Sequence, residues 1–189
     1  MRETGVPGGG HVCSAQHGAW LATPVRRLVH RPERILRGLI ARGETVADIG
    51  CGPGFFTLPM ARLVGESGSV IAVDLQEGML EMLRARAERE GLAARIRTHQ
   101  CSETELGLAD AVDFALAFYM VHEVPDVRGL LSQVRAMLKP EGRFLLVEPM
   151  FHVSAAAFAK TVEIASAVGM KPIGRPKVAL SRAVLFARG

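Results

Sequence analysis

The sequence predicts an α/β fold built on a doubly wound, mostly parallel sheet. Three observations predict it. From Thr45 onward, short apolar runs alternate with helical patterns, and strands joined through helices pair in parallel by right-handed crossovers. Two of the runs, residues 112–118 and 144–147, are apolar at most successive positions, as parallel strands buried on both faces must be. A glycine-rich bend, Asp48-Ile49-Gly50-Cys51-Gly52-Pro53-Gly54-Phe55, joins the first of these strands to the helix after it.

The elements follow in order. Residues 1–10, with Gly5, Pro7, Gly8, Gly9 and Gly10, are expected to form a mobile arm. Over residues 20–42, Leu21, Val25, Leu28, Ile35, Leu36 and Leu39 recur at helical spacing. Pro24 and Pro32 interrupt the pattern and Gly43 ends it, which predicts two short helices. A strand over 46–49 closes at Gly50, and a helix over 55–64 ends near Gly65. A strand over 69–73 ends in Asp74, and an amphipathic helix over 77–90 stops at Gly91. A weaker strand spans 95–100, and the strongly apolar strand spans 112–118. A helix over 127–138 is ended by Pro140 and Gly142, and a strand over 143–148 by Pro149. Ser154 is placed to cap a helix that runs to Val168. The stretches 171–175 and 182–187 have no helix between them. They predict a hairpin, and so an antiparallel strand at or near one edge.

Composition narrows the class. Half of the 189 residues are apolar (49%), enough for one substantial core, and the 22% that are charged do not describe a disordered polyelectrolyte. No run of about 18 uncharged apolar residues occurs, so no membrane span or membrane partner is expected. No secretory apolar core follows Arg2 and Glu3. The three cysteines, Cys13, Cys51 and Cys101, form no C-x-x-C pair, which fits a cytoplasmic protein better than a disulfide framework. The net charge of +4 is carried by residues 1–43, where seven arginines face only Glu3 and Glu33 for a sum of +5, while the rest of the chain sums to −1. That pattern reads as a solvated helix face. Only Trp20 is available there to stack on bases, so nucleic acid is not an expected partner. The sequence leaves a homo-oligomer open.

The bend selects its ligand by spacing. A dinucleotide site asks for G-x-G-x-x-G. Here the glycines fall as G-x-G-x-G, and Phe55 fills the slot of the third glycine. No Gly-Lys-Ser/Thr follows, which excludes a P-loop. Asp48 places a carboxylate at the mouth, where it repels a pyrophosphate and attracts an ammonium. Asp74, at the end of the second strand, can accept both hydroxyls of a ribose. Together these residues ask for a ribose, a flat apolar ring and a positive group, without phosphate.

Segment 46–54, the strand end Val73-Asp74-Leu75-Gln76 followed by Met79-Leu80, and the turn Leu138-Lys139-Pro140-Glu141-Gly142-Arg143 resemble class I S-adenosylmethionine-dependent methyltransferases. They are similar to the small enzymes related to the ubiquinone/menaquinone C-methyltransferase group, over about residues 44–150. The resemblance implies a Rossmann-like methyltransferase fold: a seven-stranded, mostly parallel sheet with an antiparallel last strand. It implies S-adenosyl-L-methionine as cofactor, held by residues 44–189; residues 1–43, outside the resemblance, are expected to form the Gly-rich arm and a helical lid over the cofactor. It also implies residue roles. Gly50, Gly52 and Gly54 would line the methionine moiety, Asp74 would bind the ribose, and Leu75 and Met79 would sandwich the adenine. Ser102 falls where the family often has an Asp holding the adenine amine. Phe118 and Tyr119 would lie beside the methyl group. Asp48, Cys51, Phe55 and Gln76 complete the expected cofactor-binding set, with Cys51 in a variable slot that suits packing.

On the acceptor side, His122 and Glu123 follow the fourth strand. A histidine titrates near neutrality and can take a proton from an acceptor; the plainer alternative is a polar pair at a helix start. Tyr119, the only tyrosine, can offer its hydroxyl or its ring to a sulfonium. These three are the expected catalytic residues. Glu148 and His152 flank the end of the fifth strand and are candidates to complete the acceptor pocket. His11, Cys13 and His17 are metal-ligand types but lack an evident fourth partner, so no metal is expected. The expected reaction is in-line methyl transfer from the sulfonium to a small-molecule acceptor. The alternatives are a non-catalytic S-adenosylmethionine-binding module and a methyltransferase acting on a docked protein partner. The fourth strand ends Ala117-Phe118-Tyr119-Met120, unlike the Asn-Pro-Pro-Tyr pattern of amino-group methylases, which argues against DNA bases and glutamine as acceptors. Cys51 and Cys101 lie in cofactor segments, leaving only Cys13 for arsenite chemistry.

Overall fold

The computed structural model describes residues 30–189. Among these, helix α1 (Pro32–Leu36) precedes β1 (Thr45–Ile49), α2 (Thr57–Val64), β2 (Ser69–Asp74), α3 (Glu77–Arg89) and β3 (Ile96–Gln100). Then come β4 (Val112–Phe118), α4 (Val127–Met137), β5 (Leu138–Pro149), α5 (Ala155–Ala167), β6 (Met170–Gly174) and β7 (Ser181–Arg188). The strands form one seven-stranded sheet in the order β3-β2-β1-β4-β5-β7-β6. The pairs among β1 to β5 are parallel. β7 runs antiparallel to both β5 and β6. Strand order reverses between β1 and β4, and in open α/β sheets ligands bind at the carboxyl ends on either side of that point.

Side-chain alternation divides the core. Along β4, Phe114, Leu116 and Phe118 join Leu58 of α2 and Leu83 of α3 on one face. Ala115 and Ala117 join Leu131 of α4 and Phe158 of α5 on the other. This is the buried parallel strand that the apolar run predicts.

Several boundaries differ from the sequence expectation. Helix α2 starts two residues late, at Thr57. Helix α4 stops at Met137, because Leu138 is already paired with Val112. The Lys139–Gly142 turn is absorbed as a register shift in β5, where the Lys139 ammonium grips the Asp113 carboxylate at 2.8 and 2.9 Å. Ser154 caps α5 as expected, accepting from the Ala157 N–H at 3.1 Å. The hairpin forms, with β7 beside β5 and β6 at the edge. Pro172 in β6 is tolerated there because an edge strand need not donate on both sides.

Of the helices expected over 20–42, the described part holds only α1, five residues long. Its Leu36 is fully buried and packs with Ile40 in the core on the α2 side. The Gly-rich arm, most of the expected lid and His11, Cys13 and His17 lie outside the described residues. Among the described residues, no helix is long and apolar enough to cross a membrane.

Candidate functional site

The glycine bend folds over the end of β2. The N–H groups of Gly50 and Cys51 both donate to Val73 O, at 2.8 and 3.0 Å. Gly50 has φ +71°, and a Cβ there would meet Met120 Cγ at 2.8 Å, so the loops after β1 and β4 close on each other through its missing side chain. Gly52 has φ +52° and open space where a Cβ would stand. Its N–H donates to Asp74 Oδ2 at 2.8 Å. The Gln76 N–H donates to Asp74 Oδ1 at 3.0 Å. Burial pushes the Asp74 carboxyl up, and the N–H donors of Gln76 and Gly52 work against that shift. Asp48 is buried and accepts from Thr57 Oγ1 at 2.6 Å. Burial, followed by the nearby carboxylates of Asp48 and Asp74, pushes the Cys51 thiol well up, so it packs as a neutral group.

The bend forms one wall of a cavity of about 640 Å³, a volume in the range of small-molecule sites. The β2 end with Met79 of α3, the loop after β3 and the segment after β4 form the other walls. Every residue expected in the cofactor or catalytic set lines it, with the exception of Gly54. Gly54 was expected against the ligand. Instead a Cβ there would meet Leu83 Cδ1 at 2.4 Å, so this glycine lets α3 pack against the bend. Among the described lining residues there is no lysine or arginine, whereas Asp48, Asp74 and Glu123 all reach the wall.

An aromatic cluster borders the cavity at the end of β4. Phe118 packs on Phe56 and on Tyr119, each with ring centroids 4.3 Å apart. His30 meets Phe118 and Tyr119 edge-on. Tyr119 takes φ +64°, unusual for a bulky residue. Its hydroxyl lies 2.6 Å from Ser181 Oγ and 2.9 Å from His30 Nε2. Ser181 Oγ donates onward to Ala179 O at 2.8 Å. These bonds tie the Tyr119 hydroxyl to Ser181 and His30, and Tyr119 also lines the cavity.

His122 sits in a tight 3-10 turn after β4 (Val121–Glu123). Its N–H donates to Glu148 Oε1 at 3.2 Å, and its Nδ1 meets Glu148 Oε2 at 2.5 Å. His152 packs edge-on against the imidazole with centroids 4.9 Å apart. Nε2 lies 3.9 Å from Glu123 Oε1. The hydrogen bond to Glu148 holds the His122 imidazole above its ordinary range, against the effect of burial. Burial pushes the Glu123 carboxyl up, and the neighbouring imidazole opposes it. Glu148 and His152 do not line the cavity; they stand behind His122.

Beyond Ser102, sequence reasoning missed the rest of the loop after β3 as a wall. Leu106 anchors it: its N–H donates to Gln133 Oε1, its carbonyl meets His99 Nε2, both at 2.7 Å, and its side chain is buried. The only local signal is one apolar residue in the polar run from Ser102 to Gly107.

A seven-stranded doubly wound sheet with a glycine bend hydrogen-bonded to an acid at the next strand end defines a Rossmann-like nucleoside-binding α/β protein. The chain belongs to the methyltransferase domain family, whose model matches residues 46–142. It is 33% identical over 142 residues to the aklanonic acid methyltransferase DauC of Streptomyces sp. strain C5, covering 75% of this chain and 62% of that protein. It is also 33% identical over 110 residues to the ubiquinone/menaquinone biosynthesis C-methyltransferase UbiE of Klebsiella pneumoniae, covering 58% of this chain and 44% of that one. The chain thus spans less than two thirds of the length of these curated relatives. A SAM-dependent methyltransferase from Aquifex aeolicus shares the fold with a TM-score of 0.84 at 23% identity, over 93% of this chain and 99% of that one. The [4+2]-cyclase SpnF shares it at 0.68 and 18% identity, over 78% of this chain and 60% of that one. Family membership implies S-adenosylmethionine as the cofactor.

Proposed function

We propose that the chain transfers a methyl group from S-adenosylmethionine to a small-molecule acceptor. The observation that carries this is the cavity itself: a glycine bend tied to Asp74, beside walls that present carboxylates and, among the described residues, no lysine or arginine. Such walls suit a sulfonium and an ammonium and oppose a pyrophosphate. The residues fit this cofactor: the open Cβ position at Gly52 leaves room beside the backbone, and Asp74 keeps acceptor capacity for ribose hydroxyls after binding two N–H groups. Leu75 and Met79 would hold the adenine, with Gln76 and Ser102 beside it. Gly50, Cys51, Asp48 and Phe55 would surround the methionine end. Gly54 supports that wall from behind.

When bound, the cofactor supplies an electrophilic methyl carbon and a neutral thioether as leaving group. The protein's part is to hold the acceptor in line, exclude water and take up a proton. Phe118 and the Tyr119 ring supply the apolar wall, and His122 with Glu123 the polar one. DauC and UbiE, named for a small-molecule substrate and a biosynthetic C-methylation, support a small acceptor. We place the activity in the cytoplasm, on the odd cysteine count.

A second reading has its own observation. Met150, Phe151 and Leu180 are exposed, Phe151 by 82%, and the Met150 N–H donates to Leu180 O. An apolar group next to His152 favours a docked protein partner as the acceptor. Calorimetric titration with S-adenosylmethionine, followed by a screen of small acceptors with radiolabelled methyl donor, separates the readings. Turnover of a small acceptor supports the first. Tight binding without turnover of any small acceptor overturns it and leaves the protein partner or a non-catalytic module.

A further inference from the structure

We infer that Glu148, a residue behind the cavity, is a positioning residue that fixes His122 as the base taking a proton from the acceptor. Its purpose rests on the methyl-transfer reading above; its geometry does not. Glu148 lies in the last turnless stretch of β5 and is 1% exposed, too deep to touch a ligand. Both of its oxygens go to one residue. Oε1 accepts from the His122 backbone N–H and Oε2 from the ring at Nδ1. This two-point grip fixes the turn that carries the imidazole and the rotation of the ring about its own axis.

A carboxylate only accepts, so Nδ1 carries the hydrogen. In the neutral ring Nε2 is then the bare nitrogen. Nε2 turns away from Glu148 towards Glu123, on the cavity wall. The groups facing the imidazole are Glu148 from β5, Glu123 from its own turn and His152 from the loop after β5. Asp74 of β2 acts at longer range, through its repulsion of Glu123. The two glutamates flanking the ring both favour the imidazolium that forms when Nε2 takes up a proton.

The geometry also selects a class of acceptor: one with a proton to lose as it gains a methyl group, such as a hydroxyl or a carbon acidified by adjacent carbonyls. The X–H bond breaks, the proton goes to Nε2 and the electron pair stays on X. A thioether or tertiary amine would give such a base nothing to do.

The test reads the ring directly. Long-range proton–nitrogen correlation spectra of the histidine-labelled chain report the tautomer and titration midpoint of each of the 6 histidines, with His122 assigned by its loss in His122→Gln. The expected result is a neutral His122 protonated at Nδ1, with a midpoint that falls by about one pH unit or more in Glu148→Gln. A neutral ring protonated at Nε2 overturns the inference, and so does a midpoint unmoved in the variant. Should Glu148→Gln fail to fold, the wild-type tautomer alone decides. Calorimetry on the same samples keeps the two readings apart. Glu148→Gln is expected to bind S-adenosylmethionine as tightly as wild type. A wild-type chain that binds none removes the purpose assigned to the pair, whatever its tautomer.

Discussion

The backbone N–H of Gly52 and the carboxylate of Asp74 meet at 2.8 Å across the ends of two neighbouring strands. The acid that would take the ribose therefore also holds the bend in shape, and one substitution strikes both. Asp74→Ala removes a charge-assisted acceptor worth about 1.5–3 kcal/mol. S-adenosylmethionine is expected to bind about 10- to 100-fold more weakly, by calorimetric titration. Binding equal to wild type would remove Asp74 from the cofactor site.

Gly52 and Gly54 should respond in opposite ways. Both have positive φ, so alanine at either costs about 1–2 kcal/mol in backbone strain. At Gly54 the new Cβ also drives into the Cδ1 methyl of Leu83, which is fully buried and must shift within the core. Overpacking adds about 1–3 kcal/mol. Gly54→Ala is thus expected to lose the more stability in urea denaturation, while the material that folds keeps its cofactor affinity. Gly52→Ala, which adds a methyl to the cavity wall, should lose the less stability and the more affinity.

This contrast shows how far the sequence could be read. The spacing of Gly50, Gly52 and Gly54 is local and pointed to a backbone bend, but spacing alone does not say which glycine faces the ligand and which faces a helix; Leu83 lies 29 positions beyond Gly54. Asp74 was legible because an acid ending an apolar strand stands out locally. The sheet was legible for the same reason: its strands announce themselves by apolar runs. The pairing of His122 with Glu148 was not, because it joins a turn after β4 to the end of β5, 26 residues apart. Parallel register sets that pairing, and no local pattern encodes it. Of the wall after β3 only Ser102 was legible; the rest stayed hidden because one leucine in a polar run anchors it.

Thr57 and Asp48 offer a test of the site's foundation. Thr57 is fully buried and its hydroxyl donates to a carboxylate that is only 2% exposed. Thr57→Val keeps the shape and removes the donor. Weakening the support of a buried carboxylate costs about 1–3 kcal/mol. The denaturation midpoint is expected to fall accordingly, and Thr57→Ser to restore most of it. A valine variant as stable as wild type would show that other donors suffice for Asp48.

In the proposed role of base, His122 gives the pH dependence of turnover a definite sign. Its hydrogen bond to Glu148 raises the folded pKa above the ordinary imidazole value. The imidazolium's contribution to stability is therefore full below the ordinary value and is lost as pH rises through the raised one. Catalysis runs the other way, because only the neutral ring can accept a proton. With an acceptor that must lose a proton, kcat/KM is expected to climb with pH, and the midpoint of the climb should lie on the alkaline side of an ordinary histidine. His122→Gln should remove that limb and lower kcat by about 10²- to 10⁴-fold, the usual worth of a positioned base. Glu148→Gln should retain a limb but move it to lower pH, with a reduced plateau because a less basic ring pulls less hard on the proton. Glu123 sharpens the comparison: burial raises its pKa, so its ionisation lies closer to the rise than that of an ordinary glutamate. Glu123→Gln removes a carboxylate that favours the imidazolium, so it should shift the limb in the same direction as Glu148→Gln and by less. A limb that stays in place in both variants, measured on the same acceptor, would mean that another group sets the profile.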